Sequence, residues 1–133
     1  MESKSRSAND CGTVVVIDDD VAVRNSLKFT LEVEGFTVRI FADGQELLDD
    51  KPLTPSDCLV VDQNLPRMRG LELIAELRRR NNKVPAILIT TNPSDAVRRQ
   101  ASAAGVPIVE KPLLNSLLFD AIRRAMPNPP PVN

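Results

Sequence analysis

An α/β domain, with a parallel sheet covered by helices on both faces, is what the sequence predicts, and three observations carry that reading. Five short apolar runs alternate with longer segments of helical period, and turn residues separate each from the next. The runs are rich in Val, Ile and Leu, and three are continuously apolar, as strands buried on both sides require. The chain has 133 residues, 42% of them apolar, which suits one compact domain with its own core. Strict strand–helix alternation then selects parallel pairing through crossover helices.

The first run, 13-TVVVI-17, opens the sheet. A helix follows over 21–34, with Val23, Leu27 and Leu31 recurring at i, i+4 and Asp20 at its N-cap. The second run, 37-TVRIF-41, precedes a short helix over 44–50, where Asp43 and Glu46 have the spacing of a capping box. After the third run, 58-CLVV-61, a helix over 71–80 turns Leu73, Ile74 and Leu77 inward. It ends in Arg78, Arg79 and Arg80, a solvated last turn that the helix dipole favours. The fourth run, 86-AILI-89, leads to a helix over 94–104, capped by Ser94 and stopped by Gly105. The fifth, 108-IV-109, leads to a helix over 113–126 whose inward stripe is Leu114, Leu118, Ala121, Ile122 and Ala125. Phe119 stands off that stripe, so it is expected to be partly exposed beside Arg123. Residues 1–12 read as a disordered leader, 13–126 as the domain, and 127-PNPPPVN-133 as a proline-rich tail or linker stub.

Composition removes several classes of function. Seventeen basic and 18 acidic side chains give a net charge of -1, so no global field draws the chain to nucleic acid or an acidic membrane. The sum hides an asymmetry: residues 1–62 hold 6 basic and 13 acidic groups, residues 63–133 hold 11 and 5. No apolar run approaches the roughly 20 residues of a membrane span, and the first twelve residues lack the apolar stretch of a signal peptide, which points to the cytoplasm. Cys11 and Cys58 are too few and too differently placed for a disulfide framework or a zinc site. The absence of histidine excludes a Ser-His triad, imidazole metal ligands and a histidine phosphoryl carrier within these residues. Chemistry here must run on carboxylates, hydroxyls and lysine.

In a sheet of this kind ligands sit beyond the carboxyl ends of the strands. The first run ends in Asp18, Asp19 and Asp20, the third in Asp62, the fourth in Thr90 and Thr91, and the fifth in Glu110 and Lys111. Clustered carboxylates repel unless a cation sits among them, and all-oxygen donors suit Mg²⁺ or Mn²⁺. Paired aspartates after one strand are also explained as caps and loop carboxylates. An Asp, a hydroxyl and a lysine on three further strand ends converge on a single phosphoryl group.

These residues, in the segments VVVIDDD, CLVVDQNLPRMRGLELI, AILITT and VEKPL, resemble the response-regulator receiver domains of two-component signalling over about Thr13 to Met126. The resemblance implies a doubly wound, flavodoxin-like fold: a five-stranded parallel sheet in order 2-1-3-4-5 flanked by five helices. It implies Asp62 as the phosphoryl acceptor, Asp19 as a direct Mg²⁺ ligand, Asp18 in its outer shell and the backbone carbonyl of Asn64 as a further donor. Thr90 matches the hydroxyl that binds a phosphoryl oxygen, Lys111 the lysine that pairs with the phosphate, and Pro66 with Gly70 the turn after the acceptor. The Lys111–Pro112 bond is expected to be cis. The phosphoryl donor is then a sensor histidine kinase or a histidine phosphotransfer protein.

Two departures matter. Ile108 stands where the family often has an aromatic that rotates with phosphorylation, so the Thr90–Ile108 switch lacks its ring, and Thr91 stands where smaller residues are common. Asn64 and Asn92 occupy positions through which the family tunes hydrolysis of the acyl phosphate. Two rival functions use the same residues: a metal-dependent phosphatase of haloacid dehalogenase type with Asp18 as nucleophile and Asp20 as acid/base, and a degenerate receiver that only binds. The family's usual signalling face, made by the fourth helix, fifth strand and fifth helix, would here offer Arg98, Arg99, Ile108, Phe119, Arg123 and Arg124 to a downstream protein or a second copy. No recognition helix follows Met126, so the expected partners exclude direct nucleic acid and membrane, and a stand-alone receiver and a trimmed multidomain regulator both fit.

Overall fold

The structure, a computed structural model, describes residues 13–111, 113 and 115–126. The strands β1 (Thr13–Ile17), β2 (Thr37–Phe41), β3 (Cys58–Asp62), β4 (Ala86–Thr90) and β5 (Ile108–Glu110) pair in parallel in the order β2-β1-β3-β4-β5. Helices α1 (Val21–Val33), α2 (Gly44–Leu48), α3 (Gly70–Arg79), α4 (Asp95–Ala103) and α5 (Asn115–Ala125) follow the strands in turn. The sheet is covered on both sides, and the period of two along each strand divides the core. Val14, Val16, Cys58, Val60, Ile87 and Ile89 face one layer with Leu27 and Leu31 of α1 and Leu118 and Ile122 of α5. Val15, Ile17, Leu59, Val61, Ala86 and Leu88 face the other, with Leu47 of α2, Leu73, Ile74 and Leu77 of α3 and Ala101 of α4. Among the described residues no helix is long and apolar enough to cross a membrane.

The register aligns the strand ends. Ile17 lies beside Val61, Asp62 beside Ile89, and Thr90 beside Glu110, so the residues that follow β1, β3, β4 and β5 emerge along one edge. Local caps fix where each helix leaves that edge. Asp20 accepts the Ala22 and Val23 N–H groups at 2.9 and 3.4 Å, and Ser94 Oγ accepts the Val97 N–H at 3.2 Å. Gly105 stops the segment after α4 with φ +71°, a left-handed conformation that an L side chain rarely adopts.

Three expectations need correction. Helix α2 ends at Leu48 rather than 50, and its capping box is displaced by one residue. Asp43 Oδ1 accepts the Glu46 N–H at 2.9 Å, but the Glu46 carboxylate reaches past Asp43 to the Ala42 N–H, also at 2.9 Å. The arginines closing α3 are not simply solvated: Arg79 and Arg80 both pair with Glu76, at 2.5 and 2.8 Å, and Arg78 donates to the Asn82 carbonyl at 3.1 Å. Phe119 is buried, only 9% exposed, and belongs to the core. At about 100° per residue Met126 falls between Ile122 and Phe119 around α5, and its burial widens the inward arc to include the ring. Arg123 roofs that ring at 5.8 Å from its centroid and pairs with Glu34 at 2.9 Å. Cys11, the Lys111–Pro112 bond, Leu114 and the segments 1–12 and 127–133 lie outside the described residues.

Candidate functional site

Among the described residues, the buried polar side chains are Asp18, Asp62, Gln63 and Thr90, and all four sit at the carboxyl ends of β1, β3 and β4. Burying polar groups is costly unless each has a partner, and this edge supplies partners to the two carboxylates. Asp18, fully buried, accepts the Asp20 N–H on Oδ1 at 2.9 Å and the Lys111 ammonium on Oδ2 at 2.9 Å. Asp62, 5% exposed, accepts the Asn64 N–H on Oδ1 at 3.1 Å and the same ammonium on Oδ2 at 3.2 Å. Lys111 thus reaches past β4 to bridge the ends of β3 and β1. Its backbone N–H is held by the Thr90 carbonyl at 2.8 Å, which aims the side chain along the edge.

The electrostatics of Lys111 follow from this position. Burial by itself pushes its pKa down, but the hydrogen bond and charge of Asp18, followed by those of Asp62, outweigh it, and the net shift is upward from 10.5. The ammonium is therefore kept charged beside the two carboxylates. Asp19 completes the group from the exposed side, and carboxylate oxygens of Asp18, Asp19 and Asp62 lie within 4.8 Å of one another. Three carboxylates against one ammonium leave an uncompensated negative charge. A hard divalent cation fits that donor set.

The expected site residues therefore converge, with distinct surroundings. Asp20 turns its side chain to the first turn of α1. Thr90 is buried at 2% exposure, whereas Thr91 and Asn92 after it are exposed, Asn92 with φ +47°. Ile108 is half-buried against the core layer of α3 and α4. Gly70 is explained by the site: a Cβ there would lie 2.7 Å from the Asp62 carbonyl oxygen and 2.8 Å from Leu88 Cδ1. Two contributors escaped the sequence reading. Arg24, one turn into α1, donates to the Asp18 carbonyl at 2.7 Å, and Gln63 uses its buried amide on the first turn of α3. Neither has a motif, although a polar residue directly after the strand-ending Asp62 was a visible exception to the apolar pattern.

The expected partner face is altered. Arg98 pairs with Glu110 at 3.0 Å, Arg99 and Arg124 are exposed, and Arg123 is spent on Phe119 and Glu34. The exposed apolar residue of α5 is Leu117, 55% exposed, in an open groove of about 560 Å³ that it lines with Ile108, Glu110 and Arg124. On α1, Val21, Phe29 and Val33 are exposed as well.

Comparison with known proteins gives a family model for the response regulator receiver domain that matches residues 14–123. The transcriptional regulatory protein FixJ of Bradyrhizobium diazoefficiens is 35% identical over 121 residues, which are 87% of this chain and 59% of that protein. The response regulator MprA of Mycobacterium avium is 37% identical over 92 residues, 69% of this chain and 40% of its own. The chain spans little more than half the length of the FixJ proteins it matches. Among solved structures, the response regulator StyR superposes with a TM-score of 0.80 at 32% identity, covering 86% of this chain and 59% of StyR. The FixJ-N crystal structure superposes with 0.76 at 32%, covering 86% and 92%.

Proposed function

The chain belongs to the response-regulator receiver family, and on that premise we propose that Asp62 accepts a phosphoryl group from a phosphohistidine of a sensor histidine kinase or histidine phosphotransfer protein. The observation that carries this reading is the lysine bridge. Lys111 lies 3.2 Å from Asp62 Oδ2 and 2.9 Å from Asp18 Oδ2, at a cluster of three carboxylates that Asp19 completes. The 133 residues contain no histidine, so the donor imidazole comes from sequence outside them. Val21, Phe29 and Val33, exposed along α1 from the rim of the pocket, offer apolar surface to the protein that brings it.

The chemistry assigned to each residue is simple. An Asp62 carboxylate oxygen forms the new O–P bond as the donor's N–P bond breaks, and the electron pair of that bond leaves with the imidazole, which is protonated from solvent. Attack by an anion on a dianionic phosphoryl group needs its charge offset. Lys111 supplies one positive charge as a compact ammonium, already placed against the acceptor by Asp18. Asp18, Asp19, Asp62 and the Asn64 carbonyl would hold Mg²⁺, which when bound adds charge neutralisation at the phosphoryl oxygens. Thr90, buried beside the site, supplies a hydroxyl to a phosphoryl oxygen, and with Ile108 on the adjacent strand β5 it transmits the change to that edge of the sheet. Mn²⁺ meets the same all-oxygen donor set.

The phosphatase alternative is disfavoured by two of its own residues. Asp18 is fully buried with both oxygens engaged, and Asp20 caps α1. The intact set of Asp19, Asp62, Thr90 and Lys111 speaks against a degenerate receiver. A location in the cytoplasm, a stand-alone or multidomain arrangement and a downstream protein partner belong to this same proposal. Incubation with Mg²⁺ and acetyl phosphate tests it. Wild type should acquire one acid- and base-labile phosphoryl group that Asp62→Asn and chelation of the metal each abolish, and persistence of the label in Asp62→Asn would remove the mechanism.

A further inference from the structure

Gln63 is the buried polar residue that the chemistry above leaves without a part. It is 5% exposed and follows the acceptor directly. Its polar contacts among the described residues fasten the segment that leaves β3: its N–H donates to the Ile89 carbonyl of β4 at 3.0 Å, its carbonyl accepts the Gly70 N–H at 3.2 Å, and its side-chain Oε1 accepts the Leu71 N–H at 2.9 Å. Gln63 therefore closes the base of the 64–69 loop, meeting on one residue both the strand next door and the first turn of α3.

The side-chain contact answers a local defect. Helix α3 begins after Arg69, which supplies no side-chain cap, although the first N–H groups of a helix need acceptors. Glu72 reaches back to the Arg69 N–H at 2.8 Å, and Gln63 takes the Leu71 N–H. A side chain from the acceptor strand thus does what an N-cap residue would ordinarily do from within the loop. The loop is also tied at its tip, where Arg67, at φ +66°, pairs with Asp43 at 3.0 Å, and Met68 N–H donates to the Pro66 carbonyl at 2.7 Å. The Asn64 main chain lies between the Gln63 anchor and this tip, and its N–H is one of the two partners of the Asp62 carboxylate.

We infer that Gln63 is a positioning residue for the acceptor site: by capping α3 in place of Arg69, its buried amide fixes the 64–69 loop so that the Asn64 N–H and carbonyl stay in register with Asp62. The inference rests on the reading of Asp62 as acceptor and of the Asn64 carbonyl as a metal donor. Groups that orient metal ligands from behind typically change affinity or activity by 10–100-fold when removed, so the expected effect is measurable. A conventional cap at Arg69 would stabilise α3 equally well without tying it to the acceptor strand.

The test compares wild type, Gln63→Leu, Arg69→Ser and the double variant in three readouts: amide exchange at Leu71, Mg²⁺ affinity by calorimetry, and the rate at which acetyl phosphate labels Asp62. Gln63→Leu should speed exchange at Leu71, weaken Mg²⁺ binding about tenfold and slow labelling about tenfold. Adding Arg69→Ser gives α3 its own cap, and it should restore protection of Leu71 without restoring Mg²⁺ affinity or labelling. Unchanged affinity and labelling in Gln63→Leu, or their recovery in the double variant, would overturn the inference and leave Gln63 a helix cap only. Should Gln63→Leu fail to fold, Gln63→Asn, one methylene too short to reach Leu71, carries the same comparison. A wild type that binds Mg²⁺ but gains no label on Asp62 counts against the acceptor reading, and the positioning role is then decided by the affinity difference alone.

Discussion

The two ends of β3 are equally buried and chemically opposite. Cys58 opens the strand at 0% exposure, and Asp62 closes it at 5%. Around Cys58 burial comes first and the charge of Asp57 second, and together they push the thiol up to about 12, so at neutral pH it is a neutral, inert core side chain. Around Asp62 the same depth is combined with an ammonium at 3.2 Å and an amide at 3.1 Å. Depth alone therefore silences the thiol, whereas at Asp62 the same depth comes with two fixed hydrogen-bond donors, one of them a cation. The difference lies in what the neighbouring strands end in: β1 and β5 deliver Asp18 and Lys111 to one end of β3, while at the other end the Cys58 side chain packs in the apolar layer of α1 and α5 with no cation beside it among the described residues.

The largest way to break this contrast is to remove the cation. Lys111→Ala should remain folded, by circular dichroism, and lose Asp62 labelling on the order of 10²-fold, the scale on which one charge-stabilising donor at a reacting centre counts. Loss of fold would make Lys111 a structural residue. Asp19→Ala acts on the exposed carboxylate instead, and it should weaken Mg²⁺ binding at least about tenfold by calorimetry. Unchanged affinity would refute its ligand role.

A backbone change comes next. Gly70→Ala places a Cβ 2.7 Å from the Asp62 carbonyl oxygen, and moving the Asp62 end of β3 to make room should cost about 1–3 kcal/mol in urea unfolding. The smallest effect on labelling is expected at the silent end. Cys58→Val replaces the thiol with a methyl group and adds one carbon to a fully buried position, which should change stability by about 1–3 kcal/mol and labelling not at all.

That last variant also sharpens the contrast through pH. The thiol has a raised pKa in the folded state, so its contribution is fully present below 9.0 and is lost as pH rises toward about 12, where the unfolded chain has released the proton and the folded one has not. Lys111, raised from 10.5, loses its contribution in the same direction but at higher pH. Alkaline destabilisation of wild type should begin near pH 9, and in Cys58→Val its onset should move to above 10. An unmoved onset would mean that Cys58 does not titrate as a buried thiol.

Much of this was legible in the sequence because the signals were local and periodic. The five apolar runs predicted the strands to within a residue, and Asp20 and Ser94 announced the starts of α1 and α4 through side chains that bond their own first turns. Strand-end logic brought Asp18, Asp19, Asp62 and Lys111 together, since parallel register aligns those ends. What escaped was set by partners distant along the chain. The burial of Phe119 depends on Met126 widening the inward arc and on Arg123 being drawn to Glu34, an ion pair 89 residues apart that no periodicity contains. Glu46 bypassed Asp43 for the Ala42 N–H, which a spacing rule does not anticipate. Gln63 bonds eight residues ahead, across a loop, and carries no motif.

The most direct test of the contrast between the two ends of β3 is to locate the phosphoryl group itself. An aspartyl phosphate formed from acetyl phosphate in Mg²⁺ is trapped by borohydride, which reduces the acyl phosphate to the alcohol, and peptide mass spectrometry then finds the reduced residue. The expected result is conversion at Asp62 alone, with Asp18, Asp19, Asp20 and Cys58 unmodified. Conversion at Asp18, or labelling that borohydride does not trap, would contradict it.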